Sequence, residues 1–253
     1  MMIDTHCHLG KSDYDDIEKI IKNMENNIII VSSASPNEIK EVIEITSKYK
    51  NVYGTIGIHP EYADMYKEEN LKELEKHLKH PKIVGIGEIG LDYHYTKENK
   101  ESQINLFIKQ IKLANKYKKP IVIHTRDAIE DTYNIIKKYK IKEIKCDLHC
   151  YSGSLEMAKK FIPLNAYFGI GGVLTFKNEK KLKQIVKELD LKYFLLETDS
   201  PYLTPEPLRG HKNEPANIKY IADKIATLKN IKIEEVFEKT TQNALALFDI
   251  EKQ

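Results

Sequence analysis

Tryptophan is absent from this chain, and arginine nearly so: Arg126 and Arg209 are the only two among 40 basic residues. Lysine, isoleucine and asparagine are abundant throughout, a general bias against arginine. In that background the two survivors are either chance remnants or residues kept for a planar, bidentate fork that lysine cannot supply. Cysteine is sparse as well. Cys7, Cys146 and Cys150 are odd in number and form no CxxC pair. This argues against a disulfide framework and for buried free thiols in a reducing compartment. No apolar run approaches the length of a membrane span, and the N-terminus lacks a basic-then-apolar leader. The expected setting is therefore cytoplasmic, with no membrane partner and no evident obligate protein partner. The net charge of +2 excludes a broad basic footprint, so any phosphate recognition must be local. Linkers and breaks in composition are also missing, and residues 1–253 read as one domain.

What is present is alternation. Short apolar runs occur at the N-terminus (MMIDTHCH) and at 28–33, 52–58, 82–90, 121–124, 144–150, 166–172 and 193–198. Several are continuously apolar, as strands covered on both faces should be. Between them lie helical patterns at 14–26, 37–49, 70–79, 101–118, 127–139, 154–162 and 178–188. Two more follow, one opening at Glu214-Pro215 and one over 233–248. Strand then helix, repeated eight times, predicts a single (β/α)8 TIM barrel of the α/β class. An open doubly wound sheet is the alternative, weakened because no GxGxxG follows an early strand.

Barrel chemistry sits at the C-terminal ends of strands. His6 and His8 end the first run, His59 the third, Glu88 the fourth, His124 the fifth, His149 the sixth and Asp199 the eighth. In a strand, residues i and i+2 share a face, so His6 and His8 can address one ion. Four histidines and two carboxylates exceed the needs of one open tetrahedral site. They suit two divalent ions sharing a bridging carboxylate, with Mg, Mn and Zn all compatible with the donors. His77 and His80 lie in a polar stretch and are expected to be solvated. The positions of His94 and His211 leave their roles open.

The segments IDTHCHL (3–9), GIHP (57–60), IGEIGLDYH (86–94), PIVIHTRDA (120–128), HCYSG (149–153), LLETDSPYL (195–203) and LRGHKNEPANI (208–218) together resemble the TatD family of metal-dependent deoxyribonucleases, within the amidohydrolase-like barrels. The resemblance runs over nearly the whole chain. It implies that His6, His8 and Asp199 bind one ion, and that Glu88 bridges to a second held by His124 and His149. It also implies a hydrolase acting on DNA strand ends or another phosphodiester, expected as a 3′-to-5′ exonuclease. Asp199, with Glu88, is the expected catalytic group, orienting the attacking water and accepting its proton. Arg209 is expected to grip phosphate, while His59, Tyr151 and Asn213 are expected to contact substrate; Tyr151 could stack on a base. Glu197 and Asp92 are candidates to hold the second nitrogens of ligand histidines. The departures are outer: Tyr151 stands where Phe is frequent, and His211-Lys212 where Lys-Arg is frequent. A two-ion ester or amide hydrolase, such as a D-aminoacyl-tRNA deacylase, is the alternative activity. A non-catalytic metal-bound binding module is the alternative from another class.

Overall fold

The computed structural model describes residues 1–251. Eight parallel strands form one sheet in the order of the chain. They are β1 (Ile3–Cys7), β2 (Ile28–Ser32), β3 (Val52–Ile56), β4 (Ile83–Asp92), β5 (Ile121–Arg126), β6 (Cys146–Leu148), β7 (Ala166–Ile170) and β8 (Phe194–Leu196). The helices between them are α1 (Ile17–Lys22), α2 (Glu38–Lys48), α3 (Glu68–His77), α4 (Lys100–Tyr117), α5 (Ile129–Tyr139), α6 (Leu155–Phe161) and α7 (Lys181–Glu188). After β8 come α8 (Ile218–Lys229) and α9 (Ile233–Phe248). This is the (β/α)8 barrel that the alternation predicts.

The apolar runs become strands because both of their faces are covered. On β2, Ile29 and Val31 belong to the large core between sheet and helices, whereas Ile28 and Ile30 belong to a second cluster. That second cluster also takes Val84, Val122 and Leu195 from other strands, with Leu247 and Phe248 from α9. The last helix thus plugs one end of the barrel, leaving the other end for chemistry. Ser32 continues the Ile28–Ile30 face of β2 towards that open end.

The β8–β1 join is made differently from the other seven. Two backbone bonds lie beyond the end of β8, from Asp199 N–H to the His6 carbonyl (2.9 Å) and from His8 N–H to the Ser200 carbonyl (2.7 Å). Side chains close the rest. Thr5 donates to the Leu196 carbonyl (3.0 Å), and the buried Asp4 carboxyl group accepts from Thr198 N–H (2.9 Å) and Thr198 Oγ1 (2.6 Å). The residues that seal the barrel are immediate neighbours of the proposed ligands.

Candidate metal centre

Six side chains converge at the open end of the barrel. His6 Nε2 and His8 Nε2 are 3.3 Å apart. Glu88 Oε2 lies 3.6 Å from the first and 3.8 Å from the second. Asp199 Oδ1 lies 3.8 and 3.6 Å from the same two nitrogens. An ion bound at the usual 2.0–2.2 Å sees tetrahedral ligands about 3.4 Å from one another, close to the separation of each carboxylate oxygen from the two imidazole nitrogens. The other oxygen of the same carboxylate faces elsewhere. Glu88 Oε1 is 2.9 Å from His124 Nδ1 and 3.6 Å from His149 Nε2. Donor groups able to hold metal are therefore present on both oxygens of Glu88. They overlap, since His149 Nε2 is also 3.8 Å from Asp199 Oδ1.

Each of the four imidazoles is aimed by its remaining nitrogen. Ser32 Oγ meets His6 Nδ1 at 3.1 Å, and the Ser32 carbonyl accepts from His8 Nδ1 at 3.1 Å. Asp92 Oδ2 holds His124 Nε2 at 3.0 Å. Glu197 Oε2 holds His149 Nδ1 at 3.2 Å, while its other oxygen accepts from Cys150 N–H at 2.6 Å. Such partners fix ring orientation and raise ligand basicity. The positions of Asp92 and Glu197 agree with the sequence expectation. Ser32 was missed, although it ends an apolar run at the level of the other strand-end residues.

Glu197 fits because β7 offers no side chain opposite it. A Cβ on Gly169 would lie 2.2 Å from Glu197 Oε2. Gly169→Ala is therefore expected to push Glu197 away from His149. The expected loss in metal affinity or activity is about 10–100-fold, read by metal titration of the folded variant. Unchanged affinity would show that Glu197 does not set the position of His149.

The electrostatics follow from burial and pairing. Burial disfavours charge on Glu88, but His149, His59 and hydrogen bonds from His124 and His6 hold its carboxyl well below the usual range. Burial also opposes charge on His8 and His124. Contacts to carboxylates overcome it, with Asp199 and Glu88 acting on His8 and Asp92 and Glu88 on His124, and both rise to about 9. His6 goes the other way. It is fully buried and stacked on His149 at 3.7 Å, and both burial and that neighbour's charge lower its pKa.

The centre opens into a cleft of about 600 Å³. His59 lines it, as expected, with Nε2 3.7 Å from Glu88 Oε1 and its ring 4.4 Å from that of His124. Burial pushes His59 down to about 4. Three other residues expected at the substrate are not among the walls of this cleft. Tyr151 is 2% exposed, packs edge-on to Phe168 and donates to the Ser154 carbonyl, so no ring face is offered to a base. Asn213 is fully buried. Its amide donates to the Thr198 and Tyr202 carbonyls, and its oxygen accepts from Glu214 N–H and Asn217, so it organises the loop after β8. Arg209 lies outside the cleft walls. Its guanidinium rests 4.0 Å from the Phe176 ring centre and donates to the Thr204 carbonyl. Arg126 is likewise stacked, over Tyr95 at 5.2 Å. The planar group is used in both cases, but against an aromatic ring.

The remaining histidines stand apart. His94 pairs with Asp127 on an exposed loop, His77 pairs with Glu73 within α3, and His211 is exposed. Among the described residues, the cleft walls include Asp13, Glu38, Glu41 and Glu61, and neither lysine nor arginine. Tyr62 and Tyr202 also line it, and the sequence reading singled out neither.

With this geometry in place, similarity to known proteins becomes informative. The family model described as TatD related DNase matches residues 3–249. The chain belongs to that family. A metal-dependent hydrolase of Bacillus subtilis, YabD, whose activity is uncharacterised, is 42% identical over 99% of this chain and 100% of its own length. A similarly described relative from Escherichia coli K12, YcfH, is 33% identical over 99% of this chain and 96% of its own. The crystal structure of YjjV, a TatD homologue from Escherichia coli, superposes with a TM-score of 0.90. It shares 26% identity and covers 99% of this chain and 98% of its own. TatD-family membership places the protein among the metal-dependent hydrolases. No helix among the described residues is long and apolar enough to cross a membrane.

Proposed function

We propose that the protein hydrolyses phosphodiesters at DNA strand ends, in the 3′-to-5′ direction, with two divalent ions of the Mg, Mn or Zn type. The observation that carries this reading is Glu88, whose two oxygens face two different histidine groups with Asp199 close to both. The chemistry of the donor set fits the ions: His6, His8 and Asp199 would hold one, His124 and His149 the other, and Glu88 would bridge. When bound, such ions neutralise charge on the phosphate oxygens and lower the pKa of water.

The chain's own residues supply the rest. Asp199 orients the attacking water and takes its proton. Asp92, Glu197 and Ser32 keep the imidazoles aimed, so that little reorganisation is needed during reaction. The family description as DNase supports a nucleic-acid substrate. The test is release of mononucleotides from single-stranded DNA, labelled at either end, by protein that has been chelated and then given back Mg, Mn or Zn. Release from the 3′ end that appears only with added metal is expected. Hydrolysis absent under every metal would refute the nuclease.

A second reading has its own observation. The carboxylate-lined cleft repels phosphate but suits an ammonium group, as on an aminoacyl ester. Deacylation of aminoacyl-tRNA by metal-loaded protein that leaves DNA intact would select it.

A further inference from the structure

The outer walls of the cleft combine two features that the metal centre does not explain. One is aromatic. Tyr202 follows the Asp199 segment, is 59% exposed and stands edge-on to His8 with ring centres 6.2 Å apart. Tyr62, from the short turn after β3, lines the same cleft. Burial raises the pKa of both hydroxyls; Glu61 and Glu38 then act on Tyr62, and Asp13 and Asp199, followed by Glu38 and Glu61, act on Tyr202. Both phenols are walls of the one cleft. The other feature is charge: Asp13, Glu38, Glu41 and Glu61 face this space, with neither lysine nor arginine among the described walls.

Nucleobases have π faces on which tyrosine stacks whatever the sequence, and carboxylates accept hydrogen bonds from exocyclic amines. Phosphates, by contrast, are repelled by carboxylates. Resting on the phosphodiester reading above, we propose that Tyr62 and Tyr202 form a stacking slot for the terminal nucleobase, and that the acidic wall limits entry to one nucleoside beyond the hydrolysed bond. Terminal specificity then comes from this slot, and scission is confined to chain ends because a longer overhang would bring further phosphates against Glu38, Glu41 and Glu61.

The test uses the full, metal-loaded chain and two readouts. In the first, single-stranded oligonucleotides carry either a normal or an abasic terminal nucleotide, at either end. The wild type is expected to show a KM about 5- to 150-fold higher for the abasic terminus, with a smaller change in kcat. Tyr202→Ala should lose this discrimination and Tyr202→Phe should keep it. In the second, 2-aminopurine deoxyribonucleoside monophosphate is expected to be quenched on binding to wild type and not to Tyr202→Ala. DNA hydrolysis with equal KM for both termini overturns the slot, as does discrimination that survives in both Tyr62→Ala and Tyr202→Ala. Quenching without DNA hydrolysis supports the slot and counts against the nuclease. Neither quenching nor hydrolysis overturns both.

Discussion

Asp199→Asn is expected to lower kcat by about 10²–10⁴-fold, the range spanned by positioned proton-transfer groups, while the barrel stays folded. The substitution is well suited to this residue. Asp199 has φ of 53°, in the left-handed region that asparagine tolerates. Its backbone N–H bond to the His6 carbonyl survives the change, so the β8–β1 join is kept. What is lost is the negative charge. Burial disfavours that charge, but a hydrogen bond with His8 and the proximity of His149 and His6 hold the carboxyl below its ordinary range. The wild-type group is thus ionised at neutral pH and ready to accept a proton; an amide accepts none. Metal content should be measured beside kcat, because a variant that has lost its ions loses activity through coordination. Undiminished kcat in a metal-replete Asn variant would remove Asp199 from the proton-transfer role.

The second large effect is on metal uptake, which should strengthen steeply between pH 6.5 and 8.5. An imidazole binds metal through a lone pair, so a protonated histidine must first give up its proton. His8 and His124 lie at about 9 in the metal-free protein, and His149 lies well above its usual value. Burial opposes charge on His149, but Glu197, Glu88 and Asp199 outweigh it. At neutral pH these three are protonated and paired with carboxylates. His6, buried against His149, and His59, at about 4, are neutral and release nothing. The sign follows directly. Protons win at low pH and metal gains as pH rises, with the share from His8 and His124 levelling off once pH passes about 9. Each displaced proton contributes a factor of ten per pH unit, so one to three give about 10- to 1,000-fold per unit. Calorimetric titration with Zn or Mn, in two buffers of different ionisation enthalpy, reads both the affinity and the protons released. An affinity that stays flat over this range would mean that the histidines are already neutral.

The barrel and the side chains that converge at its open end were readable because their signals are periodic. Continuous apolar runs mark strands with both faces covered, and a histidine, glutamate or aspartate ending such a run stands out from its neighbours. The limits of the elements were less visible. The helix expected over 14–26 shrinks to Ile17–Lys22, because the carboxylates of Asp13 and Asp16 take the Gly10 and Lys19 N–H groups and organise the approach as loop and cap. The substrate-facing assignments fared worst, for a physical reason. Loop residues obey no period, so nothing in the spacing separates Tyr151, whose ring is packed beneath its own turn, from Tyr202, whose ring lies open beside His8. Asp147 makes the same point inside the barrel. It interrupts the apolar run of β6, and only the fold reveals a fully buried acid with neither oxygen partnered. Burial, reinforced by Glu197, drives its carboxyl well above the ordinary range.

The side-chain seam between β8 and β1 carries a consequence for how the protein comes into being. Thr5 and Leu196, which meet there, are 191 residues apart. On the ribosome Asp199 is added 191 residues after His8. Contacts of such long separation form late. Thr198 meets Asp4 and the adjacent Asp199 meets His8, so the contacts that seal the barrel are the ones that bring Asp199 to the histidines. Nascent chains that stop short of Asp199 then carry His6 and His8 without the carboxylate that faces them in the finished barrel.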